Sequence, residues 1–216
     1  MLTGAGGPEP PALAALDPLI LALPSGTDLW RVHRLAHRPA QFNPGLGPNR
    51  GRFHPFQGPG GAPVPTLYAA ATWEGAICET VFRDVPVRGP DRRKARAELE
   101  IRAMSLVRLT HDVSLVDLRT LGLGRLRLHR RDLIDTEADQ YLRTARWAQA
   151  LHHAAPDAAG LVWIARLADP AAMVFFGDRV TEADFTVLDG PIPLGDGKGL
   201  AMVMDLANKA KILITT

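Results

Sequence analysis

The sequence predicts an α+β fold in which a mostly antiparallel sheet has helices packed beside it. Three observations lead there. Short strand-like runs bounded by Gly and Pro outnumber the segments with helical spacing. Two segments, after Thr72 and after Thr136, carry apolar stripes at helical spacing. Two apolar runs late in the chain, 161–166 and 172–176, are joined around Asp169 and Pro170, the pattern of a hairpin between neighbouring strands.

Taken in order, residues 1–27 hold five prolines around one short apolar run and are expected to form an arm with at most a short helix, leaving 28–216 as a single domain. Residues 29–35 read as a strand. The stretch 39–65 is so rich in Gly and Pro that it has to be a long loop, and such a loop inside a compact domain is usually functional or disordered. Residues 66–71 read as a short buried strand. Thr72 then caps a helix to about Arg83, with Trp73, Ala76, Ile77, Thr80 and Val81 on one face and Glu79 at its border. Strands are expected at 98–109 and 114–118, and an arginine-rich irregular segment at 119–135. Thr136 with Asp139 has the form of a capping box, opening a helix to about His153 whose stripe is Ala138, Tyr141, Leu142, Ala145 and Ala148. After the hairpin, the last 30 residues alternate between Gly/Pro turns and an apolar segment at 200–206.

The 216 residues, 46% of them hydrophobic, suffice for one sizeable core, whereas two domains would each be marginal. A formal net charge of +2 gives no polybasic surface, so direct nucleic-acid binding is not expected. The basic residues are 21 Arg against 4 Lys, which suits anion recognition by planar guanidinium forks or reflects a GC-rich genome. Cys78 is the sole cysteine, so no internal disulfide or cysteine-based zinc cluster forms. It reads as a small core residue in a protein of the reducing cytoplasm. No metal is expected. The apolar stretch 13–23 is broken by Asp17 and Pro18 and follows no basic residue, unlike a secretory signal. No segment approaches the roughly 18 apolar residues of a membrane span.

Between Leu29 and Trp73 there is no Asp or Glu, yet Arg31, Arg34, Arg38, Arg50 and Arg52 stand there with His33, His37 and His54. That run is either a solvated basic loop or the grip for a phosphate or pyrophosphate. Glu79 follows on the next helix. It is either a helix-surface carboxylate or the fixed negative charge that glycosidic cleavage needs where positive charge develops on a sugar ring. His152 and His153 are adjacent, point in different directions on a helix and make a poor metal pair. The run Gly195-Asp196-Gly197-Lys198-Gly199 lacks the spacing and the Ser/Thr of a phosphate loop and reads as a turn.

Several short motifs in order resemble the RES domain: Leu29-Trp30-Arg31-Val32, Gly51-Arg52-Phe53, Leu67-Tyr68-Ala69, Ala76-Ile77-Cys78-Glu79, Gly160-Leu161-Val162-Trp163 and Phe175-Phe176-Gly177-Asp178-Arg179-Val180. The resemblance spans roughly residues 29–185. It implies an ADP-ribosyltransferase-like fold with a mostly antiparallel, split sheet, and a toxin that degrades NAD when its Xre-type antitoxin is absent. NAD is then substrate, not a resident cofactor. Carried over by position, Arg31 and Arg52 would hold the pyrophosphate, Tyr68 would stack on nicotinamide or shape its pocket, and Glu79 would stabilise the ribosyl cation. One position departs: the register of residues 160–166 puts Ala165 where the family usually has a serine, and no serine follows Ser114. The chain is therefore expected either as an NAD-cleaving enzyme or as an attenuated binding module that occupies the antitoxin. A small basic nuclease using the loop histidines is a third reading. Water, phosphate or a protein side chain would serve as acceptor.

Overall fold

The structure, a computed structural model, describes residues 7–46 and 50–216. Its elements follow in chain order. The first half holds β1 (Ile20–Leu23), β2 (Asp28–Arg34), β3 (Thr66–Ala70), α1 (Trp73–Thr80), β4 (Arg93–Ala95), α2 (Ala97–Glu100) and β5 (Arg102–Leu109). Then come β6 (Val113–Asp117), α3 (Thr120–Arg125), α4 (Arg130–Leu133), α5 (Tyr141–Ala154) and β7 (Ala158–Ile164). β8 (Ala171–Phe176), β9 (Phe185–Pro193), α6 (Gly197–Lys209) and β10 (Leu213–Thr215) complete the chain.

Eight strands form one sheet in the order β1-β6-β7-β8-β3-β2-β5-β9, and β10 pairs with β4 in a small separate ribbon. Within the large sheet β6 and β7 run parallel and the other neighbours antiparallel. The sheet nearly parts at its centre. β3 pairs with β8 from Thr66↔Phe176 to Ala70↔Ala172, and β2 with β5 from Asp28↔Arg108 to Arg34↔Arg102. Yet β2 and β3 are in register at Trp30↔Ala70 alone. Beyond that point the strands diverge and leave a cleft between two half-sheets.

Strand alternation sends neighbouring side chains to opposite faces. On β8, Val174 and Phe176 join one core with Ile77 of α1, Trp147 and Leu151 of α5 and Val203 of α6. Met173 and Phe175 join the other, with Leu29, Leu67, Val107 and Leu115. The helices therefore cover one face, and Ala40, Val180 and Phe185 close the opposite one from loops and the β9 edge.

Five local expectations are corrected. Part of the arm is an edge strand, since β1 pairs with β6 from Ile20↔Val116 to Leu23↔Val113. The strand expected from residue 98 begins at Arg102, because α2 precedes it, held by the Lys94–Glu98 pair at 2.6 Å and by Arg102 Nε donating to the Glu98 carbonyl at 3.0 Å. The capping box at Thr136 does not form. Its hydroxyl turns back to the Leu133 carbonyl, and a short 3-10 turn, Ala138–Gln140, leads into α5. Finally, β9 was not legible as a strand: its residues are mostly exposed, and its pairing with β5 is broken by irregularities. The 195–199 run ends as the start of α6, which encloses the apolar segment 200–206.

Candidate active site

Thr72 starts the helix that carries the acid. Its hydroxyl accepts from the Gly75 amide at 3.2 Å, and the helix runs from there to Thr80. Glu79 is buried at 6% exposure. Its Oε2 accepts from Arg52 Nη1 at 2.6 Å and from the Trp163 indole at 3.2 Å, while Oε1 accepts from the Arg166 amide at 2.6 Å. The carboxylate is thus clasped by the long loop and by the end of β7.

Arg31 sits on β2, across the split. Strand alternation points it and His33 away from Val32. Its guanidinium is buried and donates to the main-chain carbonyls of Pro39, at 2.8 Å, and Gln41. It makes no salt bridge to a carboxylate among the described residues, and burial brings its pKa down to about 10. His33 Nε2 lies 2.9 Å from the Ser105 hydroxyl on β5.

The cleft between these groups has a volume of about 400 Å3, within the size range of small-molecule sites. Arg31, Arg34, Arg83, His33, His37 and His54 line it, and Glu79 is its single acidic lining residue among those described. Tyr68 lines it as well. Burial holds the Tyr68 phenol well above its usual range. His54 is pushed down to about 4 by burial, with the Arg83 charge adding to it. Cys78, in the core, is pushed up to about 12 by burial and the neighbouring carboxylates, which leaves it an inert thiol.

The structure brings Arg31, Tyr68 and Glu79 together around the cleft but separates two expected members from its wall. Arg52 is 1% exposed and does not line the cleft: it lies on Glu79, and its main-chain carbonyl accepts from the Thr144 hydroxyl. A guanidinium so placed holds the carboxylate from behind. Ala165 is likewise buried and outside the cleft lining. It precedes the Arg166 amide that clasps Glu79, and its carbonyl accepts from Arg130 at 2.9 Å. Sequence reasoning missed Arg83, which enters the cleft just after α1 with its guanidinium 5.3 Å over the Tyr141 ring. Its place four residues after Glu79, on the same helical run, was the available signal. Among the described residues no group of three or more His, Cys, Asp or Glu is arranged to hold a metal ion. No helix among them is long and apolar enough to cross a membrane.

Among the described residues one carboxylate stands in an arginine- and histidine-lined cleft, opened where an antiparallel sheet splits, an arrangement that can take an anionic ligand. Comparison with known proteins names the family that carries it. The chain belongs to the RES domain family, whose model matches residues 28–194. A chain of the crystal structure of the M. tuberculosis MbcT–MbcA toxin–antitoxin complex is similar in fold, with a TM-score of 0.54 at 18% identity, covering 78% of this chain and 84% of that one. A search of curated proteins returned no match. The architecture is the α+β arrangement with a mostly antiparallel, split sheet that the resemblance implied.

Proposed function

We propose that this protein is the toxin of a toxin–antitoxin pair and that it cleaves the nicotinamide–ribose bond of NAD in the cytoplasm. The observation that carries the reading is Glu79 as the sole carboxylate lining the basic cleft among the described residues. Arg31 is the pyrophosphate anchor, because its buried guanidinium hydrogen-bonds only to neutral carbonyls among the described residues and the nearby Glu182 charge does not bridge to it. Arg83 and Arg34 replace Arg52 as the second contact. Glu79 faces the ribose. As the C–N bond breaks, its electron pair goes to the pyridinium ring, nicotinamide leaves neutral, and the cationic ribosyl carbon is stabilised by the fixed carboxylate. Water, phosphate or a protein nucleophile then takes the ribosyl group. An antitoxin, of the Xre type that the resemblance implies, restrains the activity by covering the basic cleft. The fold shared with a chain of a toxin–antitoxin complex supports that partner.

A second reading has its own support: Glu79 is capped by three donors and Ala165 offers no hydroxyl. In that reading the protein is an attenuated module that binds the antitoxin without turnover. Incubating the purified protein with excess NAD and following free nicotinamide over time separates the two. Steady release that disappears in Glu79→Gln supports cleavage. Intact NAD alongside tight antitoxin binding supports the second reading and removes the first.

A further inference from the structure

A chain of hydrogen bonds at the cleft wall, Asn43–His54–Tyr68, has the direction of each of its protons set by the geometry. A backbone N–H can only donate. The Gly45 amide donates to Asn43 Oδ1 at 3.1 Å, so the Asn43 atom 3.3 Å from His54 Nε2 is the amide nitrogen, which also only donates. Nε2 therefore accepts. The ring's one proton then sits on Nδ1, 3.2 Å from the Tyr68 hydroxyl. Burial keeps this imidazole neutral at pH 7, in agreement with that tautomer. The Tyr68 oxygen also accepts from the Phe53 amide at 3.0 Å. Both of its acceptor positions are filled, and burial keeps the phenol protonated. Its hydrogen has no acceptor among the described residues, and the side chain lines the cleft.

We propose that Asn43 and His54 are positioning residues that make the Tyr68 hydroxyl an obligatory hydrogen-bond donor to an unprotonated ligand oxygen, a carboxamide carbonyl or a phosphoryl oxygen. Both are held from behind. Asn43 exchanges main-chain hydrogen bonds with Thr66 at 2.8 Å each, at the start of β3. His54 is bridged to Gly51, where any Cβ would run into the His54 ring. The phenol thus selects for an acceptor oxygen: a ligand hydroxyl that must itself donate finds no lone pair free.

The relay is tested first without ligand. Nitrogen-15 shifts of the histidine rings, with the His54 signal identified by its loss in His54→Leu, should report protonated Nδ1 and bare Nε2. In Asn43→Asp, of the same shape, the carboxylate accepts from Nε2, so the tautomer should invert and Tyr68 should turn its hydrogen towards His54. Protonated Nε2 in the wild type overturns the relay whether or not NAD binds.

The second readout rests on NAD being the ligand. Tyr68→Phe, His54→Leu and Asn43→Asp should each weaken NAD binding about three- to tenfold, the worth of one neutral hydrogen bond. In the Tyr68→Phe background, His54→Leu should add nothing, because it acts only through the lost hydroxyl. Additive losses would make His54 merely structural and overturn the proposal. ADP-ribose, which lacks the carboxamide, distinguishes the two acceptors. Weakening for NAD alone assigns the carbonyl, equal weakening for both assigns a phosphoryl oxygen, and no weakening for either overturns donation to the ligand. If wild type binds no NAD, the functional reading falls, and the tautomer measurement still decides the relay.

Discussion

Arg31 and Arg52 are both buried guanidiniums of the acid-free run that precedes α1, and they end on different partners. Arg31 rests on two neutral main-chain carbonyls, so its charge is left to act on the cleft. Arg52 rests on Glu79, so its charge is consumed inside the protein. Two of its nitrogens, Nε and Nη2, have no hydrogen-bond partner among the described residues. The lesson is that burial and residue type do not assign a role; the partner does. A buried charge facing carbonyls keeps no carboxylate partner of its own, while one facing a carboxylate is tied to it.

The largest test of that contrast exchanges each arginine for methionine. Arg52→Met strands the buried Glu79 charge and should cost about 3–5 kcal/mol in urea unfolding. Arg31→Met leaves no carboxylate behind and should change stability by about 1 kcal/mol, yet weaken NAD binding about tenfold or more. A crossed result, with Arg31→Met the unstable variant, would reverse the assignment.

Glu79→Gln comes next. Loss of the negative charge should lower nicotinamide release by about a hundredfold or more. Its destabilisation should be smaller when Arg52 is already methionine, since the two share one interaction. Additive stability losses would mean that the 2.6 Å pair is not coupled in solution.

Acid should act on the cleft wall through His54. His54 has a folded pKa of about 4 against an ordinary 6.5, so the unfolded chain binds more protons between those values. Stability present above pH 6.5 is therefore lost as pH falls towards 4. His33 and His152, lowered mainly by burial, act in the same direction. Urea midpoints should drop between pH 7 and pH 4.5, and His54→Leu should flatten part of that slope; an unchanged slope would exclude His54 as a contributor. The smallest effect belongs to Thr72→Ala, which removes the cap of the helix bearing Glu79 and should cost about 1 kcal/mol by thermal unfolding. An unaltered midpoint would show that the tertiary contacts of α1 suffice without it.

Much of the scaffold was legible because its periodicity is local. β2, β3, α1, β7 and β8 stand close to where alternation, helical spacing and the Thr72 cap put them. β9 escaped because it is mostly exposed, and β1 because its four residues are all apolar and carry no polar alternation although their burial alternates. The Thr136 box failed because a cap is a competition, and the Leu133 carbonyl won the hydroxyl.

By itself the sequence determined the acid-free basic run, the helix after it that carries Glu79, the order of the motifs and the α+β class. These are properties of residue type and spacing, which the chain carries before it folds. Only the tertiary structure decided which arginine faces the cleft. Arg31 and Arg52 have the same chemistry and both fall in that run, but the single register point between β2 and β3 opens the cleft beside one of them. The end of β7 and α1 bring Glu79 onto the other. Whether a buried charge meets a carbonyl or a carboxylate depends on residues far away in sequence, and no local pattern encodes that meeting.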